Sequence, residues 1–120
     1  GKKRTLKKQL DFSRFNPEWV GTFVFHYPSL FDQMQIGVAK ARMLAGVPMQ
    51  SVDPLTDNIA HMVATLNVVL DSAPDWFKVD ELDYDDYEML DEVYETYASW
   101  RESFRKGNQQ SDHQGDSQGA

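Results

Sequence analysis

The residues best able to do chemistry are the acids crowded into positions 75 to 95. Ten stand there (Asp75, Asp80, Glu81, Asp83, Asp85, Asp86, Glu88, Asp91, Glu92 and Glu95) against one base, Lys78. Carboxylate oxygens suit a hard divalent cation, but a calcium loop needs a glycine and a fixed carboxylate spacing that this stretch lacks. Asp85, Asp86 and Glu88 fall at a helix start and splay around its axis. They read as a solvated acidic face, able to dock a basic partner. Of the histidines His26, His61 and His113, none makes His-Glu-x-x-His or pairs at ligand spacing. His61 is expected to be partly buried. Ser29, Ser51, Ser72, Ser99 and Ser103 lack the Gly-x-Ser-x-Gly setting of an activated nucleophile. No carboxylate pair stands in an apolar setting that would raise its pKa, and no Gly-rich loop is placed to cradle phosphate. The expectation is a binding protein with no catalytic, cofactor-binding or metal-binding residues.

Charge is unevenly spread. Residues 1 to 15 hold six bases (Lys2, Lys3, Arg4, Lys7, Lys8 and Arg14) against Asp11, in a chain of net charge −7. A basic end and an acidic flank bear on partners and encounter rates more than on fold. The acidic body opposes nucleic-acid binding, although the arm could touch phosphates. The arm could also meet the acidic flank of another copy and drive self-association. The 120 residues are enough for one domain with a modest core. There is no cysteine, which excludes a disulfide framework, a thiolate zinc site and a Cys nucleophile, and fits a reducing cytosol. No apolar run is long enough to span a membrane, and none resembles a signal-peptide core.

The pattern predicts a mainly α domain of the α+β class. It has three helices, a small N-terminal β-hairpin and a disordered C-terminal tail. Residues 1–8 form a loose basic arm, 9–106 the domain, and 107–120 the tail. A strand is possible over Thr5–Phe12, and Val20–Tyr27 is a stronger one. Asn16-Pro17 turns between them, giving a hairpin over about residues 6–26.

The first helix covers 29–45. Ser29 is its N-cap, Asp32 stands in the first turn, Lys40 and Arg42 in the last, and Gly46 takes a left-handed position beyond it. Phe31, Met34, Val38, Ala41 and Ala45 form its stripe. Gly37 is read as close packing against a neighbour. The second helix starts at Asp53-Pro54 and presents Leu55, Ile59, Met62, Val63, Leu66, Val69 and Leu70, a face wide enough for a central helix. It is expected to end before Pro74. Asp75-Trp76-Phe77 is a loop whose aromatics either plug the core or act as an exposed anchor. Asp83 caps a third helix with the stripe Met89, Val93, Tyr97, Trp100 and Phe104, stopping near Gly107. The polar residues from 107 are expected to be disordered.

The order of these features resembles a known family. A β segment ends in Phe-Val-Phe-His-Tyr-Pro-Ser. A helix follows with Met-Gln-Ile-Gly-Val-Ala-Lys-Ala-Arg-Met-Leu-Ala-Gly. Then come Ala-Thr-Leu-Asn-Val-Val-Leu-Asp-Ser-Ala-Pro-Asp-Trp-Phe and Val-Tyr-Glu-Thr-Tyr-Ala-Ser-Trp-Arg-Glu-Ser-Phe. Over roughly residues 10–106 this resembles the small tail assembly chaperones of long-tailed bacteriophages and prophages. The resemblance rests on pattern rather than on an invariant motif. It implies a mainly helical protein, not an enzyme, that binds the tape-measure protein and keeps it soluble while tail tube protein polymerises around it. In this family a longer frameshifted form carries an extension that recruits tube subunits. The implied location is the bacterial host cytoplasm, not the finished virion, with no cofactor and no membrane partner.

Chaperoning an amphipathic helix needs an apolar groove with adaptable side chains, for which methionine is suited. Met34, Met43, Met49 and Met62 lie in or beside the first two helices. The residues expected to meet the partner are Met34, Lys40 and Met43 on the first helix, Trp76 and Phe77 in the loop, and Tyr87 and Tyr94 on the third helix. The alternative is a head–tail joining or adaptor protein that stays in the particle. A third reading is a nucleic-acid-binding regulator acting through residues 2–8.

Overall fold

A computed structural model describes residues 4–116. Strand β1 (Thr5–Asp11) pairs antiparallel with β2 (Val20–His26), from Thr5↔His26 to Asp11↔Val20. Alternation along β2 points Phe23 and Phe25 inward, each with no solvent exposure. The turn is closed by side chains: Asp11 Oδ1 accepts from Ser13 N at 2.8 Å and Asn16 Oδ1 from Glu18 N at 3.0 Å, the local bonding that suits Asx residues to turns. The loose arm expected over 1–8 is corrected here. Thr5–Lys8 are strand, because β2 offers them a ladder. Arg4 lies over the rings of Tyr27 (4.2 Å) and Phe104 (4.5 Å). Residues 1–3 of that arm lie outside the described residues.

Helix α1 (Leu30–Met43) opens with a capping box. Ser29 Oγ accepts from Asp32 N at 2.9 Å, and Asp32 Oδ2 accepts from Ser29 N at 3.0 Å. Gly46 has φ of 83°, as its expected left-handed role requires. Helix α2 (Pro54–Val69) starts under Asp53, whose Oδ1 accepts from Thr56 N at 2.8 Å. It buries Ala60, Met62, Ala64, Thr65, Leu66 and Val69, and so is the central helix expected.

The second helix ends before Pro74 as expected, but at Val69, so Leu70, expected on its face, is instead the start of β3 (Leu70–Ser72), which adds to β2 as a third antiparallel strand in the order β1-β2-β3. Backbone groups along β2's second edge need partners once the sheet is covered, and Leu70–Ser72 supply them. That tertiary demand outweighs helix propensity. Nearby, Gly21 leaves room for Pro74: a Cβ there would sit 2.3 Å from its Cγ.

After a 3-10 turn at Val79–Glu81, Asp83 N donates to Asp86 Oδ2 at 3.0 Å across a second one, Tyr84–Asp86. Helix α3 (Tyr87–Asp116) follows directly. Asp83 thus heads the 3-10 turn that leads into α3. Met89, Val93 and Tyr97 are buried, and Trp100 and Phe104 pack edge-on to Tyr27. The helix passes Gly107, where a stop was expected, and continues to Asp116. One internal glycine costs only about 1 kcal/mol and no proline follows to block the ladder. Of the tail expected to be disordered, 107–116 is therefore helix, and 117–120 lies outside the described residues. The core is the inner sheet face (Phe23, Phe25) with Phe12 and Phe77, closed by Met62, Leu66 and Val69 of α2 and by Met89, Val93 and Tyr97 of α3. Ile36 is the buried residue of α1.

Candidate interaction surface

Helix α1 carries two apolar faces. One, with Ile36 and the half-buried Ala39, lies against α2. The other carries the stripe of Phe31, Met34, Val38, Ala41 and Ala45 expected from spacing, and it points to solvent. Leu30 is 92% exposed, Phe31 61%, Met34 54% and Val38 43%; Ala41 and Ala45 are exposed as well. Residues 31, 34, 38 and 41 share one side because steps of three and four nearly complete a turn. Ile36 lies five residues from Phe31, about 140° around the axis at 3.6 residues per turn. Only one of two apolar sides can meet α2, and it is the side with Ile36.

Gly37 belongs to the outward side. The expectation that it packs against a neighbour within the chain is not met: a Cβ there would find nothing within 4 Å. Among the described residues nothing uses the missing side chain, yet a mid-helix glycine costs about 1 kcal/mol relative to alanine. Beside it, Gly37, Lys40, Ala41, Leu44 and Val47 line an open depression of about 320 Å³. Such a contiguous apolar patch on a small domain is the usual mark of an interaction site.

The residues expected to bind do not form one surface. Met34 is on the outward stripe. Met43 is 46% exposed but nine residues on, so it emerges on the opposite side of the helix. Lys40 is half-buried, with its Nζ 3.1 Å from Asp57 Oδ1. Phe77 is buried, and Trp76 stacks on Trp19 (5.3 Å, 5° between planes) and meets Phe12 and Phe23 edge-on. That pair plugs the end of the core. Tyr87 accepts from Asn58 Nδ2 at 2.8 Å and, with Ile59, Val63, Leu82 and Tyr84, lines a second cleft of about 150 Å³. Tyr94 sits with its hydroxyl 3.1 Å from His61 Nε2. Leu30, Phe31 and Val38, by contrast, are absent from the residues expected to meet a partner, although Phe31 and Val38 belong to the expected stripe.

Several polar groups around the helices have partners within the chain, while the Thr65 and Tyr97 hydroxyls are buried without one among the described residues. His61 is half-buried between α2 and α3. Burial, reinforced by the Lys40 and Arg101 charges and opposed by Asp57, pushes its pKa below 6.5. Burial raises the Tyr94 and Tyr97 hydroxyls. His26 was set aside for want of a neighbour at ligand spacing, and its partners are tertiary. Its Nδ1 is 2.7 Å from Asp71 Oδ1 and its Nε2 is 2.9 Å from Asp32 Oδ2, tying β2 to β3 and to the start of α1. The Asp32 carboxyl is held below its ordinary pKa, first by the Ser29 backbone N–H and also by His26. Arg14 from the hairpin turn pairs with Glu92 and Glu88. Among the described residues no group of acids and histidines is arranged to hold a metal, and no helix is long and apolar enough to cross a membrane.

Comparison with protein-family models, with curated proteins and with solved structures finds no match.

Proposed function

We propose that this chain is a non-enzymatic assembly chaperone of a long-tailed phage or prophage. In this reading it acts in the host cytoplasm on the tape-measure protein during assembly with tail tube protein, and is absent from the finished particle. The observation that carries the proposal is the outward face of α1, where Leu30, Phe31, Met34 and Val38 stand in solvent at helical spacing. A client that is a long apolar helix needs such a surface: an apolar stripe on a rigid helix, read at positions i, i+3, i+4 and i+7. Met34 adds an adaptable side chain suited to a client of repeating but inexact sequence. The wider family pattern over residues 10–106 supports the same reading.

Co-expression with the tape-measure protein of the same genome tests it. Co-purification and rescued solubility are expected, both lost in a Phe31→Ser/Val38→Ser variant that folds normally. A tape-measure protein left insoluble beside folded wild-type chain overturns the proposal.

A further inference from the structure

We infer that the outward face of α1 is also a homodimer interface, with two copies packing α1 against α1 antiparallel about a two-fold axis. Leu30, Met34, Gly37, Ala41 and Leu44 follow one another at steps of four, three, four and three residues. This is the seam spacing of helices that lie alongside each other at a shallow angle. The first four residues are graded along the seam: the large ones, Leu30 and Met34, come first, and the small ones, Gly37 and Ala41, follow; the half-buried Leu44 lies past the start of the partner's α1 in this register and faces no seam residue. Reversing a second copy sets Leu30 opposite the partner's Ala41, and Met34 opposite the partner's Gly37. The same contacts repeat across the axis, as an isologous interface requires. Large over small is how facing layers interdigitate without voids. A parallel pair would instead set large against large and glycine against glycine.

Gly37 is the second observation. Its missing side chain serves no packing within the chain, whereas a partner's Met34 would need that space. Charge does not oppose this: reversing the partner sets Phe31 beside the partner's Val38 on one side of the seam and Lys40 beside the partner's Gln33 on the other, so no like charges meet. Helix α1 is 14 residues long, roughly 21 Å at 1.5 Å per residue. That is a small interface, for which dissociation in the micromolar range is expected. A client helix and a second copy would compete for one face, so the dimer would keep it covered until a client arrives. This consequence, but not the dimer, rests on the chaperone reading.

Sedimentation of the full chain over about 5 to 500 µM, a range bracketing such an equilibrium, is the first test. The mass should rise toward twice 13.8 kDa. Gly37→Leu should stay monomeric over the same range with an unchanged or higher Tm, because the monomer has room for the side chain. Orientation is read by oxidation, since the chain has no cysteine of its own. Leu30→Cys mixed with Ala41→Cys should form the mixed disulfide, and Leu30→Cys alone should not link. A monomer at every concentration, a dimer that survives Gly37→Leu, or efficient linking of Leu30→Cys to itself would each overturn the proposal. None of these measurements involves the client, so a failure here leaves the client-binding test standing.

Discussion

Helices α1 and α3 carry the same signal and meet opposite fates. Phe31, Met34, Val38 and Ala41 on one, and Met89, Val93, Tyr97 and Trp100 on the other, both repeat at steps of three and four. Tyr97 is wholly buried and Val93 with it, whereas Phe31 is 61% exposed. The difference lies in what each helix is placed against. α3 sends its rings against the sheet, and Phe25 sits 6.0 Å from the Tyr97 ring. α1 packs chiefly against α2 and spends Ile36 on that contact. Helical spacing predicts that a face is apolar; a second element must arrive to make it core.

Truncating the two stripes should separate them most. Tyr97→Ala is expected to lose about 3–5 kcal/mol of unfolding free energy. Met34→Ala should change it by no more than about 0.5 kcal/mol. Urea denaturation checks both, and comparable losses would break the distinction between buried and outward faces. Two glycines sharpen it further. Gly21→Ala should cost about 1–3 kcal/mol, since the new methyl meets the ring of Pro74. Gly37→Ala should gain up to about 1 kcal/mol in the monomer, where its methyl meets open space. Removing the capping box with Asp32→Ala should cost about 1 kcal/mol and fray the start of α1, visible in amide exchange.

The smallest effect is in pH. His61 is held below 6.5 in the fold, so the unfolded chain binds its proton first as pH falls. Its contribution is therefore complete above about pH 6.5 and declines below that. His61→Gln should flatten the fall in stability as pH drops below about 6.5. The carboxyl of Asp32 shifts down in the fold, so its contribution is complete above about pH 4 and is lost only on further acidification. The two groups thus act in separate windows.

Local devices were legible without coordinates. Ser29 with Asp32, Asp53 with Pro54 and Asn16-Pro17 each satisfy backbone groups within a few residues, so their geometry follows from sequence neighbours alone. The hairpin, the central α2 and the α3 stripe followed from periodicity for the same reason. β3 was not legible: Leu70–Ser72 reads as the end of a helix and becomes strand only because β2 has an edge to fill. Nor were the partners of His26, Asp32 and Asp71, which lie six and 45 residues away in the chain. The candidate site was half legible. Spacing put Phe31, Met34 and Val38 on one stripe, and of these only Met34 is among the residues expected to meet the partner; which side of α1 stays uncovered is decided by what packs against it.

The amino-acid sequence by itself determined where helices begin, which residues alternate or recur, and that one end is basic and one flank acidic. These are properties of covalent neighbours and of composition. The tertiary structure alone decided which apolar face of α1 is covered, that Gly37 faces open space while Gly21 is pressed against Pro74, and that Trp76 is a plug. Burial is set by what arrives from elsewhere in the chain, and on α1 the apolar residues outnumber the places prepared to receive them.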